Sequence, residues 1–411
     1  MEDDTIRLVQ PGADELTDWI KPANAAFGEA LPPDAFAHGI RLLEPDRLIG
    51  AMEGGTWVGT AAAYSFRLTL PGGGEVDAPG ITEVGVAPSH RRRGILRRMM
   101  TWLLDQAAER GEPVAILWAS ESAIYQRFGY GIGTLQSAFD IERSRVRFIR
   151  PIEPAGRMRM VEREEAIELI PPVYETLRRR TPGAISRNER KWVDELLFDA
   201  EWMQRGNGPK YMAVLELDGQ VRGYVLYRVL SQWEDRGPNN VVLAMEVIGL
   251  DHAAERTIWS WVMDLDLAGH VRGWRGPVPH PLMLELTEPR RMGLTIREGL
   301  QLRIVDVRRA LEARGYTAAG ALTIELTDAD RPANAGRWRL EAEMGGTTVR
   351  PSTAEPDVRL DTSDLATVYL GAFRFADLAR SGRIIECRPG ALADADRLFA
   401  TTVAPCCSTM F

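Results

Sequence analysis

Hydrophobic and polar positions along the chain switch repeatedly between the two-residue period of strands and the longer period of helices. Arg47 to Glu53 and Trp57 to Leu70 read as strands, with Glu53-Gly54-Gly55 as the hairpin turn between them. A second hairpin signal follows at Pro71-Gly72-Gly73-Gly74, and Ile81 to Val86 is a short apolar strand. From Arg93 to Arg110 the residues Leu96, Met99, Leu103 and Ala107 recur on one helical stripe, and Gly111 follows as a C-cap. Pro113 to Ala119 is a continuous apolar run typical of a buried strand. Glu121 to Phe128 then reads as a short helix closed by Gly129.

The same grammar returns in weakened form between 151 and 295. Gly55-Thr56-Trp57-Val58-Gly59 followed by Tyr64 has a counterpart in Gly219 to Gly223 followed by Tyr227, and Glu83 to Val86 has one in Glu246 to Leu250. This reads as a degenerate internal copy. After Leu250 comes Asp251-His252-Ala253-Ala254-Glu255-Arg256, with no glycine and two acidic side chains, so the second copy is not expected to hold a polyphosphate. Beyond about Arg297 the character changes, with strands at Leu322 to Leu326 and Arg337 to Met344 and helical segments around Thr362 to Ala372 and Phe375 to Ser381. At 411 residues the expectation is three α+β domains, 1–150, 151–295 and 296–411.

Composition narrows the class. Hydrophobic residues make up 45% and charged residues 26%, which points to compact globular domains rather than disorder. No run approaches 18 apolar residues, and Met1 to Val9 opens acidic without an apolar h-region, so a cytoplasmic protein with no membrane span is expected. The three cysteines, Cys387, Cys406 and Cys407, lack zinc-site spacing and are expected as reduced, structural thiols; the five histidines also lack ligand spacing, so no metal is expected. A net charge of −8 argues against a nucleic-acid partner and suits a cationic, amine-bearing substrate.

The strongest chemical constellation runs from Val84 to Arg97. A strand enters a turn whose glycine, Gly94, opens a helix, so free backbone N–H groups and the positive end of the helix dipole converge on one point. Arg91, Arg92, Arg93 and Arg97 add charge-assisted donors of the kind phosphate prefers. The arrangement reads as a pyrophosphate cradle; the bland alternative is a solvated basic helix start.

The run Val86-x-Pro88-x-x-Arg91-x-x-Gly94 resembles the acetyl-CoA motif of the GNAT acetyltransferases, with Leu96 standing where the motif has its second small residue. His90 to Arg97 is similar to the variant in the Eis (enhanced intracellular survival) family. The resemblance extends through Ser120 to Gly131 and Leu311 to Tyr316 to the C-terminal Phe411. It implies a GNAT domain, a GNAT-like domain without cofactor and a sterol-carrier-like domain, assembled as a homohexamer. It also implies direct acetyl transfer from acetyl-CoA to primary amines, among them aminoglycosides and some lysine side chains.

Carried over by position, the resemblance implies that Val84, Gly85 and Val86 bind the pantetheine arm and acetyl carbonyl. Arg91, Arg92, Arg93, Gly94, Ile95, Leu96 and Arg97 would hold the pyrophosphate, and Ser120 and Glu121 would contact the far side of the cleft. Tyr125 is implied as the general acid, with Tyr130 as the competing phenol. A thiol of pKa about 8.5 facing a phenol of about 10 leaves proton transfer uphill by roughly 2 kcal/mol. The α-carboxylate of Phe411 is implied as the base, and Glu83 is the alternative, either a base or a core-edge glutamate. After Arg397 the tail carries no charged side chain, a composition suited to burial. Phe27, Glu29, Asp34 and Phe36 either line a cleft for a cationic substrate, with Glu29 and Phe36 foremost, or form an ordinary amphipathic surface. Two rival readings remain: a protein-lysine or polyamine acetyltransferase, and a lipid-binding protein on an inactive GNAT scaffold.

Overall fold

The computed structural model describes residues 6–28, 32–235, 237–343 and 345–411; Glu29 and Met344 lie outside them. The first stretch runs β1 (Arg7–Val9), α1 (Leu16–Trp19), α2 (Lys21–Phe27), α3 (Pro33–Leu42), β2 (Leu48–Glu53), β3 (Thr56–Thr69) and β4 (Glu75–Val86). It continues with α4 (Ile95–Glu109), β5 (Val114–Leu117), α5 (Ser122–Gln126), β6 (Tyr130–Ile132) and β7 (Leu135–Glu142). The middle holds β8 (Arg157–Met160), α6 (Arg163–Arg178), α7 (Glu201–Gln204), β9 (Lys210–Leu217), β10 (Gln220–Leu230) and a small hairpin of β11 (Trp233–Glu234) and β12 (Gly237–Pro238). Then come β13 (Asn240–Gly249), α8 (His252–Met263), β14 (Ala268–Gly276), α9 (Leu282–Glu285), β15 (Thr295–Glu298) and β16 (Gln301–Ile304). The last stretch comprises α10 (Val307–Ala313), β17 (Gly320–Thr327), β18 (Gly336–Glu343), β19 (Gly346–Pro351), β20 (Val358–Asp361), α11 (Thr362–Tyr369), α12 (Phe375–Arg380), β21 (Ile385–Glu386) and α13 (Ala391–Phe399).

These elements form two compact units. The first comprises Met1–Thr134, Leu300–Val403 and Thr409–Phe411. Its larger sheet has the order β1-β2-β3-β4-β5-β16-β6, with two antiparallel hairpins followed by a parallel β4–β5 pair joined through α4. β4 starts at Glu75, six residues before the apolar run read from the sequence, because β3 pairs with it from Thr69↔Glu75 onward. On one face α4 buries Ile95, Met99, Met100, Leu103, Leu104 and Ala107 against the sheet. Of the stripe read from the sequence, Met99, Leu103 and Ala107 are buried and Leu96 is half-buried against the same core, with Ile95 deeper beside it. The other face is covered by Trp19, Ile20, Ala23 and Leu43 over Leu48, Trp57 and Ala62. A second sheet, β19-β18-β17-β20-β21, belongs to the same unit. Helix α11 lies so close on β6 that a Cβ at Gly131 would strike the Ser363 carbonyl oxygen.

The second unit comprises Leu135–Gly299 and Ala404–Ser408, with a sheet ordered β15-β7-β14-β13-β10-β9-β8. It repeats the first pattern: an antiparallel β10–β13 pair, then a parallel β13–β14 pair joined through α8. Two strands depart from the expected division of the chain. β7, expected in 1–150, lies between β14 and β15, and β16, expected in 296–411, lies between β5 and β6. The period-two pattern of each identifies a strand; filling the backbone hydrogen bonds of an otherwise open gap decides its sheet.

Candidate active site

The parallel pair of the first sheet opens into a cleft. β4 and β5 pair only at Gly80↔Ile116 and Ile81↔Leu117; β5 ends there while β4 runs on to Val86. On its other side β4 stays bound to β3, through Thr60↔Gly85 and Gly59↔Val86. A bulge falls between Ala62↔Thr82 and Thr60↔Gly85, where Glu83 adopts a left-handed φ of 49° and its carbonyl accepts a hydrogen bond from Thr60 Oγ1 at 2.8 Å. The backbone from Thr82 to Val86 therefore faces the opening without a strand partner, and it can bind an extended, amide-bearing chain as a strand would. Val84 and Val86 pack on the α4 side, whereas a Cβ at Gly85 would run into the backbone of Ala23 in α2.

The start of α4 lies at the end of this strand. A tight turn, Pro88–His90, leads through Arg92 at φ 64° and Gly94 at φ 78° into the helix. A Cβ at Gly94 would meet nothing within 4 Å, so glycine serves the left-handed backbone there and the space in front of the helix stays open. Gly94 is the N-cap and no side chain caps the first turn, which leaves its N–H groups for an anion.

The four arginines do not act alike. Arg93 donates to Glu53 at 3.0 and 2.5 Å, and His90 Nε2 meets the same carboxylate at 2.7 Å; together they hold Glu53 below the ordinary carboxylate range. Arg97 pairs with Asp330 and lies 5.6 Å from the centre of the Phe128 ring. Arg91 and Arg92 are exposed and have no ion-pair partner among the described residues. Of the four expected phosphate donors, Arg91 and Arg92 have no ion-pair partner among the described residues, and Arg93 and Arg97 are held by carboxylates remote in sequence.

Ser120 and Glu121 are exposed at the start of α5, with Glu121 as its N-cap. Tyr125, one turn on, is 6% exposed, and burial pushes its phenol up to about 12. Tyr130 sits edge-on to it with ring centres 6.0 Å apart, but it is fully buried in β6 and its hydroxyl has no partner among the described residues. Of the two phenols, Tyr125 keeps contact with the outside.

The chain end lies at the root of the cleft. Trp118, just after β5, donates its indole N–H to the Thr409 carbonyl at 2.9 Å, and Thr409 is fully buried. The Phe411 ring packs on Phe66 at 4.8 Å between centres, and both rings lie over Gly80, where the short β4–β5 pairing begins. Sequence reading missed Gly80, Phe66, Trp118 and Glu53; none carries a local signal. The first helical region divides: Phe36 is half-buried against the α1–α3 core, while Phe27 and Asp34 are exposed.

Comparison with known proteins agrees with this geometry. Residues 5–133 and 183–304 each match an acetyltransferase (GNAT) domain model, and residues 307–408 match a sterol carrier protein domain. The chain is 32% identical to the N-acetyltransferase Eis of Mycobacterium tuberculosis over 409 residues, covering 97% of this chain and 98% of that one. The chain belongs to the Eis family of N-acetyltransferases. It is also 40% identical over 365 residues, 89% of each chain, to an uncharacterised N-acetyltransferase of Streptomyces avermitilis. The crystal structure of Eis1 from Mycobacterium abscessus superposes with a TM-score of 0.85 at 32% identity, covering 99% of this chain and 100% of that one.

As a member of the Eis family the protein is an N-acetyltransferase with two GNAT domains and a sterol-carrier-like domain, and GNAT enzymes use acetyl-CoA as co-substrate. The unpaired β4 edge, the uncapped helix start and the two uncommitted arginines suit that molecule: an extended amide chain, a pyrophosphate and excess negative charge. Among the described residues no helix is long and apolar enough to cross a membrane, and no group of three or more His, Cys, Asp or Glu could hold a metal.

Proposed function

We propose that this Eis-family enzyme transfers the acetyl group directly from acetyl-CoA to a primary amine in a ternary complex, with aminoglycosides among its acceptors. Acetyl-CoA supplies an activated thioester. Val84, Gly85 and Val86 bind its pantetheine arm, and the start of α4 with Arg91 to Arg97 binds its pyrophosphate, Arg91 and Arg92 contributing most of the charge. Ser120 and Glu121 flank the other side. The amine nitrogen attacks the acetyl carbon, a C–N bond forms, the C–S bond breaks, and the nitrogen's proton passes to the Phe411 carboxylate.

Tyr125 faces the departing thiolate. With its phenol near 12 and a thiol near 8.5, full proton transfer is uphill by about 5 kcal/mol, so Tyr125 acts by donating a hydrogen bond that strengthens as sulfur gains charge. This refines the role of general acid expected from the resemblance. The observation that carries the proposal is the position of Phe411, packed over Gly80, one residue before the last β4–β5 pair. A chain end is ordinarily frayed; this one is held by a buried residue and an aromatic stack. A division into three domains near 1–150, 151–295 and 296–411, with β7 and β16 crossing its boundaries, a cytoplasmic location and a homohexameric assembly complete the proposal.

The test has two arms. Thiol release from acetyl-CoA is measured against aminoglycosides, polyamines and lysine peptides; turnover with polyamines or peptides alone would favour the first rival reading, and no turnover with any amine the lipid-binding one. Phe411 is then deleted, or a glycine is appended, with folding and assembly checked in parallel. Undiminished turnover in a folded, extended variant would remove the terminus from the mechanism and favour Glu83.

A further inference from the structure

The second sheet opens as the first does. The β13–β14 ladder runs from Asn240↔Ala268 to Ala244↔Gly273 and stops, while the strands continue to Gly249 and Gly276. Beyond the last pair, Glu246 stands on β13 and Arg275 on β14. Both are bound to the chain's own segment Ala404–Ser408, which belongs to the same unit. Ser408 Oγ donates to Glu246 Oε1 at 2.7 Å, and Arg275 donates to the Ser408 carbonyl at 3.2 Å. Cys406 N–H donates to the Pro182 carbonyl at 2.9 Å, and its thiol to the Arg275 carbonyl at 3.7 Å.

Glu246 is buried, and its acceptor sites are filled. Arg187 donates to both oxygens at 2.9 and 2.6 Å, Tyr224 adds its hydroxyl at 2.6 Å to one oxygen, and Ser408 completes the other. Arg187 itself is clamped against Tyr174, 3.6 Å from the ring centre, and against Trp192 at 4.7 Å. Burial opposes ionisation of Glu246, but Arg187 and these hydrogen bonds outweigh it and hold the carboxylate charged. Such an acceptor holds a hydroxyl firmly, because an unfilled site on a buried carboxylate is costly.

We infer that the cleft of the second copy serves as a holder for the C-terminal segment, with Glu246, Arg187 and Arg275 as positioning residues for Phe411. The inference rests on the reading of Phe411 as base. Ser408 is the last residue that the second unit holds, and Thr409–Phe411 follow directly in the first. Fixing Ser408 removes the conformational freedom a chain end would otherwise have and leaves three residues to place the carboxylate. The second copy thus acts on the chemistry without binding a cofactor.

The experiment uses full-length Ser408→Ala, Ser408→Thr and Glu246→Gln, and also Ser408→Ala in a chain lacking Phe411. Ser408→Ala leaves the Arg187–Glu246–Tyr224 cluster intact, so it serves if Glu246→Gln fails to fold. Release of terminal residues by carboxypeptidase should rise between about ten-fold and a hundred-fold in Ser408→Ala and Glu246→Gln, the factor that loss of a hydrogen bond to a charged group implies. Turnover should fall by about ten-fold or more, with the KM for acetyl-CoA within about two-fold of wild type. Ser408→Thr should restore both, and without Phe411 the Ser408→Ala substitution should cost nothing further. Wild-type release and turnover in folded Ser408→Ala would overturn the holder, as would an equal further loss in the chain lacking Phe411. If turnover survives deletion of Phe411 itself, the reading of Phe411 as base has failed, and the positioning role falls with it.

Discussion

Gly80→Ala tests the position of the chain end without touching a group assigned to chemistry or binding. A methyl group there would lie 2.7 Å from Cε2 of Phe411 and closer still to Phe66. Carbon atoms pack at about 3.5 to 4.0 Å, so the Phe411 ring must withdraw by about 1 Å. Phe66 meets the methyl group most closely and must shift as well, and because the Phe66 and Phe411 rings pack together the displacement is passed on to the chain end. If the ring stays, the overpacking costs about 1 to 3 kcal/mol of stability. If it moves, a base misplaced by about 1 Å should lose on the order of a hundred-fold in turnover. Steady-state thiol release at saturating acetyl-CoA measures this, with calorimetric binding of acetyl-CoA expected to be unchanged. Phe66→Leu in the same chain relieves the crowding and should recover part of the turnover. A folded Gly80→Ala enzyme with turnover within about two-fold of wild type would refute the placement of Phe411 at the chemistry.

Tyr125→Phe should lower turnover by about a hundred-fold or more with little change in acetyl-CoA affinity, because the hydroxyl acts on charge absent from the ground state; equal losses would indicate a packing role. Arg91→Ala and Arg92→Ala should weaken acetyl-CoA binding in a salt-dependent way, and more than Arg93→Ala, whose guanidinium is already committed to Glu53. Calorimetry should find one acetyl-CoA per chain, and a second site would contradict the assignment of the degenerate copy. His280, buried between Phe139 and Trp259, has its pKa lowered by burial to about 4, against an ordinary 6.5. The unfolded chain therefore takes up that proton first, and stability present above about pH 6.5 should fall by up to about 3 kcal/mol toward pH 4. Urea titrations at several pH values should show a shallower loss for His280→Asn; an identical slope would count against it.

Much of the first cleft was legible because its signals are local. Gly94 marks the turn into α4 whatever surrounds it, and Gly129 separates Tyr125 on α5 from Tyr130 on β6. What escaped depends on distant partners. Arg93 and Glu53 are 40 residues apart and Arg97 and Asp330 are 233 apart, so an arginine count could not say which guanidinium groups stay uncommitted. Periodicity marks β7 and β16 as strands but carries nothing about which sheet has the gap. Gly80 carries no motif of its own; it is a strand residue kept small by two rings, one of them at the end of the chain.

The two copies show that the opening of the sheet and the anion site are separable inheritances. In the first, Gly94 leaves the start of α4 uncapped. In the second, Asp251 caps α8 with its own carboxylate, accepting from Ala254 N–H at 2.9 Å, and Arg222 pairs with it at 2.7 Å. Glu255, half-buried in the first turn of α8, adds a further carboxyl at that helix start, and desolvation raises its pKa. Carboxylates at one helix start oppose a pyrophosphate there, whereas the parting of β13 from β14 depends on the whole register of the sheet and is present in both copies. An open cleft with a buried glutamate on its wall is unstable unless the carboxylate is fully paired. Arg187 and Tyr224 supply three of its hydrogen bonds, and the fourth comes from the chain's own Ser408. On the proposal that the second copy holds no cofactor, its polar cleft takes the chain's own segment instead, and that segment leads within three residues to Phe411.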